Sequence, residues 1–295
     1  MQVGAKLSAS DLVKPDPPDL LGRIAARQID FVEIAWGDDR SLDQLARAAS
    51  TVLDSPLGLS IHPYLHQKLA PEIFNHRHPD IGHRELADLL VCLADRASQP
   101  VTAVFHAGLA RLAPHFRPLV PARMAAERFF RFYADRARQS SNLTILPETQ
   151  MPIQPDYRSE VRIGDTWESC LELADEANTQ LCWDVGHTHL ACCMKKHAQH
   201  PPVAFLEAVG HVHAHDWLYP IDQICDEVMD HRPLGRGSGI WEHLLVILAQ
   251  FGYDRRILLE ISLESLADLG EYLDMLYDGA RRLRELFARH CPRDQ

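Results

Sequence analysis

Nowhere in the 295 residues is there an uninterrupted apolar run long enough to span a bilayer, and the start, Met1-Gln2-Val3-Gly4-Ala5-Lys6, lacks the apolar stretch of a secretory signal. No membrane partner is expected, and the cytoplasm is the expected compartment. A basic surplus is missing too. The 30 Lys and Arg stand against 41 Asp and Glu, a formal charge of −11, which argues against broad attraction to nucleic acid, although bound divalent ions would offset part of it locally. The seven cysteines, at 92, 170, 182, 192, 193, 225 and 291, are odd in number and without CxxC spacing, so neither a disulfide framework nor a cysteine zinc site is indicated. Cys92 and Cys182 read as core packing, and Cys192-Cys193 as small residues filling a helix face. No Gly/Ser-rich linker, low-complexity tract or composition shift divides the chain, so one domain over residues 1–295 is expected.

What is present is alternation. Apolar, β-branched runs at Val3–Leu7, Phe31–Ala35, Leu57–Ile61, Val101–Phe105, Leu143–Leu146, Leu181–Trp183, Val209–Val212 and Ile257–Ile261 are separated by amphipathic helical patterns. Helix starts show at Ser41 with Gln44, at Pro121, and at Asp165 with Glu168; further helices fit about 18–28, 82–98, 238–250 and 264–289. Strict β/α alternation with short buried strands predicts a parallel sheet covered by helices. Eight such units predict closure into a single (β/α)8 barrel, and 46% hydrophobic residues suffice for its core. The stretches 63–82 and 149–164, with the proline-rich piece Lys14–Pro18, are too long for plain connections and fall on the side of the barrel where sites form.

Seven segments read as buried strands whose ends carry metal-binding residue types: Ser60-Ile61-His62, Val104-Phe105-His106, Leu146-Pro147-Glu148, Asp184-Val185-Gly186-His187, Val212-His213, Asp230-His231 and Leu259-Glu260. Side chains at the carboxyl ends of barrel strands converge on one site, so the recurrence points to a metal centre assembled from the whole chain. Carboxylates at the ends of buried strands are costly unless paired or coordinated, which singles out Glu148, Asp184 and Glu260. His211, His213 and His215 share one face of their strand; His213 is favoured, because His211 lies deeper and His215 approaches the loop at Asp216. This oxygen-rich, one-imidazole set suits Mn²⁺, Mg²⁺, Co²⁺, Fe²⁺ or Zn²⁺ without choosing between them. His62, His106, His187 and His231 are additional ligands or, equally, binders of substrate hydroxyls. His66, His76, His78, His83, His197, His200 and His290 read as solvated.

These residues resemble the xylose-isomerase-like TIM-barrel superfamily, which holds sugar and sugar-phosphate isomerases and epimerases and the endonuclease IV type of abasic-site nuclease. The resemblance spans nearly the whole chain. It rests on Gly4-Ala5-Lys6-Leu7-Ser8, Phe31-Val32-Glu33-Ile34, Phe105-His106-Ala107-Gly108, Pro147-Glu148-Thr149, Asp184-Val185-Gly186-His187, His213-Ala214-His215-Asp216, His231-Arg232-Pro233-Leu234-Gly235-Arg236-Gly237 and Leu259-Glu260. It implies that Glu148, Asp184, His213 and Glu260 hold one ion, with the two glutamates as acid and base. The nuclease branch implies His62, His106, His187 and His231 as further ligands of three ions, but the aspartate expected two residues before His231 is Met229, with Asp230 one position over.

Two chemistries follow. The first is a metal-dependent isomerase or epimerase of a small sugar or sugar phosphate, working through an enediolate, with Glu148 and Glu260 moving the proton and His187 on a substrate oxygen. Arg232 and Arg236 are placed to clamp a phosphate or carboxylate, although they read first as solvated loop arginines. The second is an endonuclease IV-like phosphodiester hydrolase with a two- or three-metal centre, for which nucleic acid would be the partner. The seven arginines between Arg111 and Arg138, among Phe129, Phe130, Phe132 and Tyr133, read first as an amphipathic helix with its charges in water. Tyr64, beside His62, suits the wall of a small-molecule pocket. A homodimer is expected by family analogy alone.

Overall fold

The computed structural model describes residues 1–292 except 15–16, 66–68, 112–118, 152–159, 189–199, 219–228, 238 and 262–268. Eight parallel strands close a barrel: β1 (Gln2–Ser8), β2 (Phe31–Gly37), β3 (Gly58–Tyr64), β4 (Val101–His106), β6 (Leu143–Glu148), β8 (Leu181–Asp184), β9 (Val209–Ala214) and β12 (Arg256–Leu259). They neighbour one another in chain order, and β12 pairs with β1 through Val3 opposite Ile257 to seal the ring. All eight correspond to the apolar runs of the sequence. Helices α1 (Pro17–Ala25), α2 (Leu42–Leu53), α3 (Ile81–Arg96), α4 (Leu119–Ala137), α5 (Trp167–Ala177), α6 (Val203–Ala208), α7 (Ile240–Gln250) and α8 (Leu269–His290) follow the strands.

Each helix forms because an apolar stripe recurs at helical spacing and must be buried. In α2 that stripe is Leu45, Ala48, Ala49 and Val52, and Ser41 caps the helix by accepting from the Gln44 amide. In α4, Phe129, Phe130 and Tyr133 are buried, while Arg123, Arg131 and Arg136 pair with Glu172, Glu176 and Asp88 on the neighbouring helices. The arginines of α4 thus stand on a solvated helix face with Arg123, Arg131 and Arg136 engaged, whereas Arg111 lies on β5 (Leu109–Arg111) and Arg117 lies outside the described residues. The cap of α5 is Thr166, which accepts from Ser169, rather than Asp165. Both types can cap, and the extended backbone at Thr166 decides between them.

Other expectations are corrected. Asp230-His231 does not end a barrel strand: β11 (Met229–Arg232) pairs antiparallel with β10 (Asp216–Leu218) as a hairpin following β9. A second two-stranded antiparallel sheet pairs β5 (Leu109–Arg111), after β4, with β7 (Glu160–Arg162), after β6. His83 is buried rather than solvated, packed edge-on against Phe74 and 3.1 Å from the Tyr133 hydroxyl. Cys92 is exposed, not part of the core. His66, His197, Cys192, Cys193 and Cys225 lie outside the described residues. No described helix is long and apolar enough to cross a membrane.

Candidate metal centre

Side chains alternate along a strand, so every second residue of the barrel points into its lumen. On one wall these are apolar: Val104, Leu146 and Cys182 form a small cluster separate from the main core. The floor is Phe31, whose ring meets His211 edge-on and carries the Arg256 guanidinium 5.0 Å above its centre. Gly4 makes room for it, since a Cβ there would lie 2.3 Å from the Phe31 ring. Above the floor the lumen turns polar. Glu33, from β2, is fully buried; its Oε2 accepts from the Ser60 hydroxyl at 2.8 Å and lies 3.2 Å from His211 Nε2.

Three of the four expected ligands meet directly in the next layer. His213 Nδ1 lies 3.1 Å from Glu148 Oε1 and 3.2 Å from Glu260 Oε2. Strand β9 runs between β12 and β8, so Glu148, at the end of β6, and Glu260, just past β12, approach His213 from two sides. Asp184 enters through two histidines. Its Oδ1 is 3.2 Å from His215 Nε2 and accepts the His187 amide at 2.7 Å, and its Oδ2 is 3.3 Å from His187 Nδ1, itself 3.9 Å from Glu148.

The four additional histidines also converge. His62 Nε2 and His106 Nε2 reach Glu148 Oε2 at 3.2 and 3.1 Å, and His231 Nε2 reaches Glu260 Oε1 at 3.2 Å. Asp216 holds the loop after β11 by accepting the amides of Gly235, Gly237 and Gly239. Arg232 sits on that hairpin opposite Asp216 in register, whereas Arg236 is exposed, 3.4 Å from Glu271, and is not brought into the cluster. The side chains of Met229 and Asp230 lie outside the described residues.

Three participants went unassigned in the sequence: Glu33, Lys6 and His215. Lys6 Nζ is 2.7 Å from Glu260 Oε1 and 5.3 Å from the centre of the Tyr64 ring, which itself stacks on His62. A signal existed for two of them, because Lys6 and Glu33 are lone charges inside apolar strand runs. The same-face spacing of His211 and His213 on β9 with His215 just past its end was the signal for His215.

Burial pushes the carboxyls of Glu148 and Glu260 up, but the imidazoles and the lysine beside them outweigh it. Imidazoles of His106, His62 and His213 hold Glu148 well below the usual carboxylate range, and Lys6 and His213 do the same for Glu260. Burial pushes His106 down to about 4, so its imidazole is neutral near pH 7, the form that ligates a metal.

The donor set fits a divalent cation. Four carboxylates are buried here against Lys6, which pairs with Glu260, and Arg256 on the floor, and the buried oxygens Glu148 Oε2, Asp184 Oδ2 and Glu260 Oε2 have no hydrogen-bond partner among the described residues. The contacts of 3.1–3.3 Å around them match the donor spacing about an ion with bonds near 2.1 Å, roughly 3.0–3.4 Å. His62–His106–Glu148, Asp184–His187–His215 and His215–His231–Glu260 are each close enough to share one ion.

Residues 22–286 match the family described as xylose isomerase-like TIM barrel. Among solved structures the chain is similar to a D-allulose 3-epimerase from Methylomonas sp., with 17% identity and a TM-score of 0.67 over 97% of this chain and 96% of that one. An L-ribulose 3-epimerase is similar at 16% identity and a TM-score of 0.66, over 98% and 96% of the two chains. An AP endonuclease of family 2 from Brucella melitensis is similar at 16% identity and a TM-score of 0.53, over 90% and 94%. Likeness at such identity establishes the fold. No curated protein sequence matches the chain at a significant level.

Proposed function

The chain belongs to the xylose isomerase-like TIM barrel family, and from that premise we propose that it is a divalent-metal-dependent isomerase or epimerase of a small sugar or sugar phosphate. The observation that carries this is the meeting of Glu148 and Glu260 at the Nδ1 edge of His213, from strands on either side of β9. Glu148, Asp184, His213 and Glu260 would hold the ion, with His62, His106, His187 and His231 as further ligands or substrate contacts. When bound, the ion supplies positive charge to the carbonyl and neighbouring hydroxyl oxygens of a ketose, which favours the enediolate.

The chain's own residues do the rest. One glutamate removes the proton from the carbon between those oxygens and the other returns one from the opposite side. Both carboxyls are held below the usual carboxylate range, so either can begin as the base; the other must first take up a proton from solvent at the mouth before it returns one from the opposite face. Lys6, at 2.7 Å from Glu260, fixes that carboxylate and lowers its basicity. His187 donates to a substrate oxygen at the edge of the cluster, and Arg232 takes a phosphate or carboxylate if the substrate carries one. The lumen below is buried and floored by Phe31, which keeps the proton exchange at the mouth.

The D-allulose and L-ribulose epimerases among similar structures make free ketoses the first substrates to try. With Mn²⁺ in deuterium oxide, deuterium should enter the carbon beside the ketose carbonyl, and the epimer should appear. Absence of exchange across ketoses and ketose phosphates would reject this activity.

A second reading is favoured by the separate His62–His106–Glu148 cluster, which is suited to another ion: an endonuclease IV-like phosphodiester hydrolase with two or three metals. The acidic balance and the engaged arginines of α4 count against a nucleic-acid partner. EDTA-sensitive cleavage of an abasic-site duplex would establish it in place of the first.

A further inference from the structure

Beneath the cluster lies a carboxylate that neither chemistry uses. Glu33 is wholly buried, and its Oε1 faces two of the histidines from below, 3.1 Å from His213 Nε2 and 3.5 Å from His62 Nδ1. Each of those rings turns its other nitrogen toward Glu148: His213 Nδ1 at 3.1 Å from Oε1, and His62 Nε2 at 3.2 Å from Oε2. The two imidazoles therefore lie between one lower carboxylate and one upper carboxylate, and of the four contacts only that of His213 Nδ1 with Glu148 Oε1 has hydrogen-bond geometry. The rings present opposite atoms, since Nε2 faces down in His213 and Nδ1 faces down in His62.

A neutral imidazole carries one N–H, and carboxylates stand at both nitrogens of each ring; an ion held beside Glu148 would take the lone pairs of His62 Nε2 and His213 Nδ1, leaving the N–H of each ring to face Glu33. Glu33 can serve both rings because the Ser60 hydroxyl, itself 2.7 Å from the Thr102 hydroxyl, fixes its second oxygen. Parallel register sets the height of the group, with Glu33 opposite Ser60 across β2 and β3, and Ser60 opposite Thr102 across β3 and β4.

We propose that Glu33 is a positioning residue that sets the tautomers of His62 and His213 together, so that His62 Nε2 and His213 Nδ1 are the atoms presented beside Glu148. The inference rests on the reading of the cluster as a metal centre and adds which nitrogens serve it and what selects them. A carboxylate behind a ligand histidine also raises ligand basicity, and loss of such a partner weakens metal binding by about 10- to 100-fold. Because one carboxylate stands behind two histidines, its removal disturbs both at once.

The test uses Zn²⁺ as probe, with affinity measured by chelator competition on wild type and E33Q, and histidine tautomers read by nitrogen NMR on Zn²⁺-loaded, isotope-labelled protein. The expected result is an N–H at Nε2 of His213 and at Nδ1 of His62 in the wild type, and binding weakened about 10- to 100-fold in E33Q. A merely structural role would lower thermal stability while leaving Zn²⁺ affinity and tautomers unchanged in the folded protein. That outcome overturns the proposal, as does the opposite tautomer at either ring in the wild type, a result that stands even if E33Q does not fold. Wild-type protein that binds no Zn²⁺ at all would overturn this inference and the metal-centre reading together. Tight wild-type binding unchanged in E33Q would remove this inference alone.

Discussion

Replacing Lys6 with methionine tests the electrostatics of the site with little change in shape. Lys6 and Glu260 form a nearly buried pair at 2.7 Å, with side-chain exposures of 14% and 3%. Removing one partner of such a pair leaves an uncompensated buried charge and costs about 3–5 kcal/mol. The lower end applies here, because His213 and His231 still face the carboxylate at 3.2 Å. With about 2 cal/mol/K of unfolding entropy per residue, 295 residues convert about 3 kcal/mol into a fall in Tm of roughly 5 °C for the metal-free protein. Saturating Mn²⁺ gives Glu260 another cation, so the difference from wild type should narrow when the ion is present. Calorimetry of both proteins, with EDTA and with Mn²⁺, gives the four transitions required. A shift below about 1 °C without metal, or an equal shift under both conditions, would refute the reasoning.

Glu148→Gln and Glu260→Gln should each abolish turnover while leaving far-UV circular dichroism unchanged, since both act at the mouth of a barrel whose core lies elsewhere; normal epimerisation by either would remove it from the proton transfer. Gly4→Ala should destabilise by about 1–3 kcal/mol, because the new methyl falls 2.3 Å from the Phe31 ring, and an unchanged denaturation midpoint would show that the ring moves freely. Burial holds His83 down at about 4 against an ordinary 6.5, so the unfolded chain binds the proton more readily. The stability this group contributes is present above pH 6.5 and is lost as pH falls toward 4, up to about 3 kcal/mol over the window. His83→Phe should flatten the fall in stability between those values, and a slope identical to wild type would show that His83 titrates normally.

The barrel was legible because its signal is local and repeated. Each of the eight strands is an apolar run bracketed by polar turns, and Val101–Phe105 or Val209–Val212 needs no partner to be seen as buried. The two-stranded sheets β5–β7 and β10–β11 lack that signal, since strands of three or four residues that mix apolar and charged residues show neither an apolar run nor a period of two. That is why His231 was placed on a strand end and not on a hairpin over the mouth. Strand-end acids and imidazoles were visible as types, and their convergence follows from the fold. Lys6 and Glu33 needed more, because a charge within an apolar strand gains its meaning only from what faces it across the lumen: Glu260 for one, and His62, His211 and His213 for the other. His83 had no local signal at all. It sits in the first turn of α3 among polar residues, and Phe74 and Tyr133, distant in sequence, bury it.

Metal content measured on protein purified without chelator, for wild type and Glu148→Gln in parallel, tests the central claim most directly. The account predicts at least one tightly held divalent ion per wild-type chain, with one favouring the epimerase and three the nuclease-like centre, and a marked loss in the variant. Wild-type protein that stays free of metal after incubation with Mn²⁺, Co²⁺ and Zn²⁺, or a variant that retains the full complement, would contradict it.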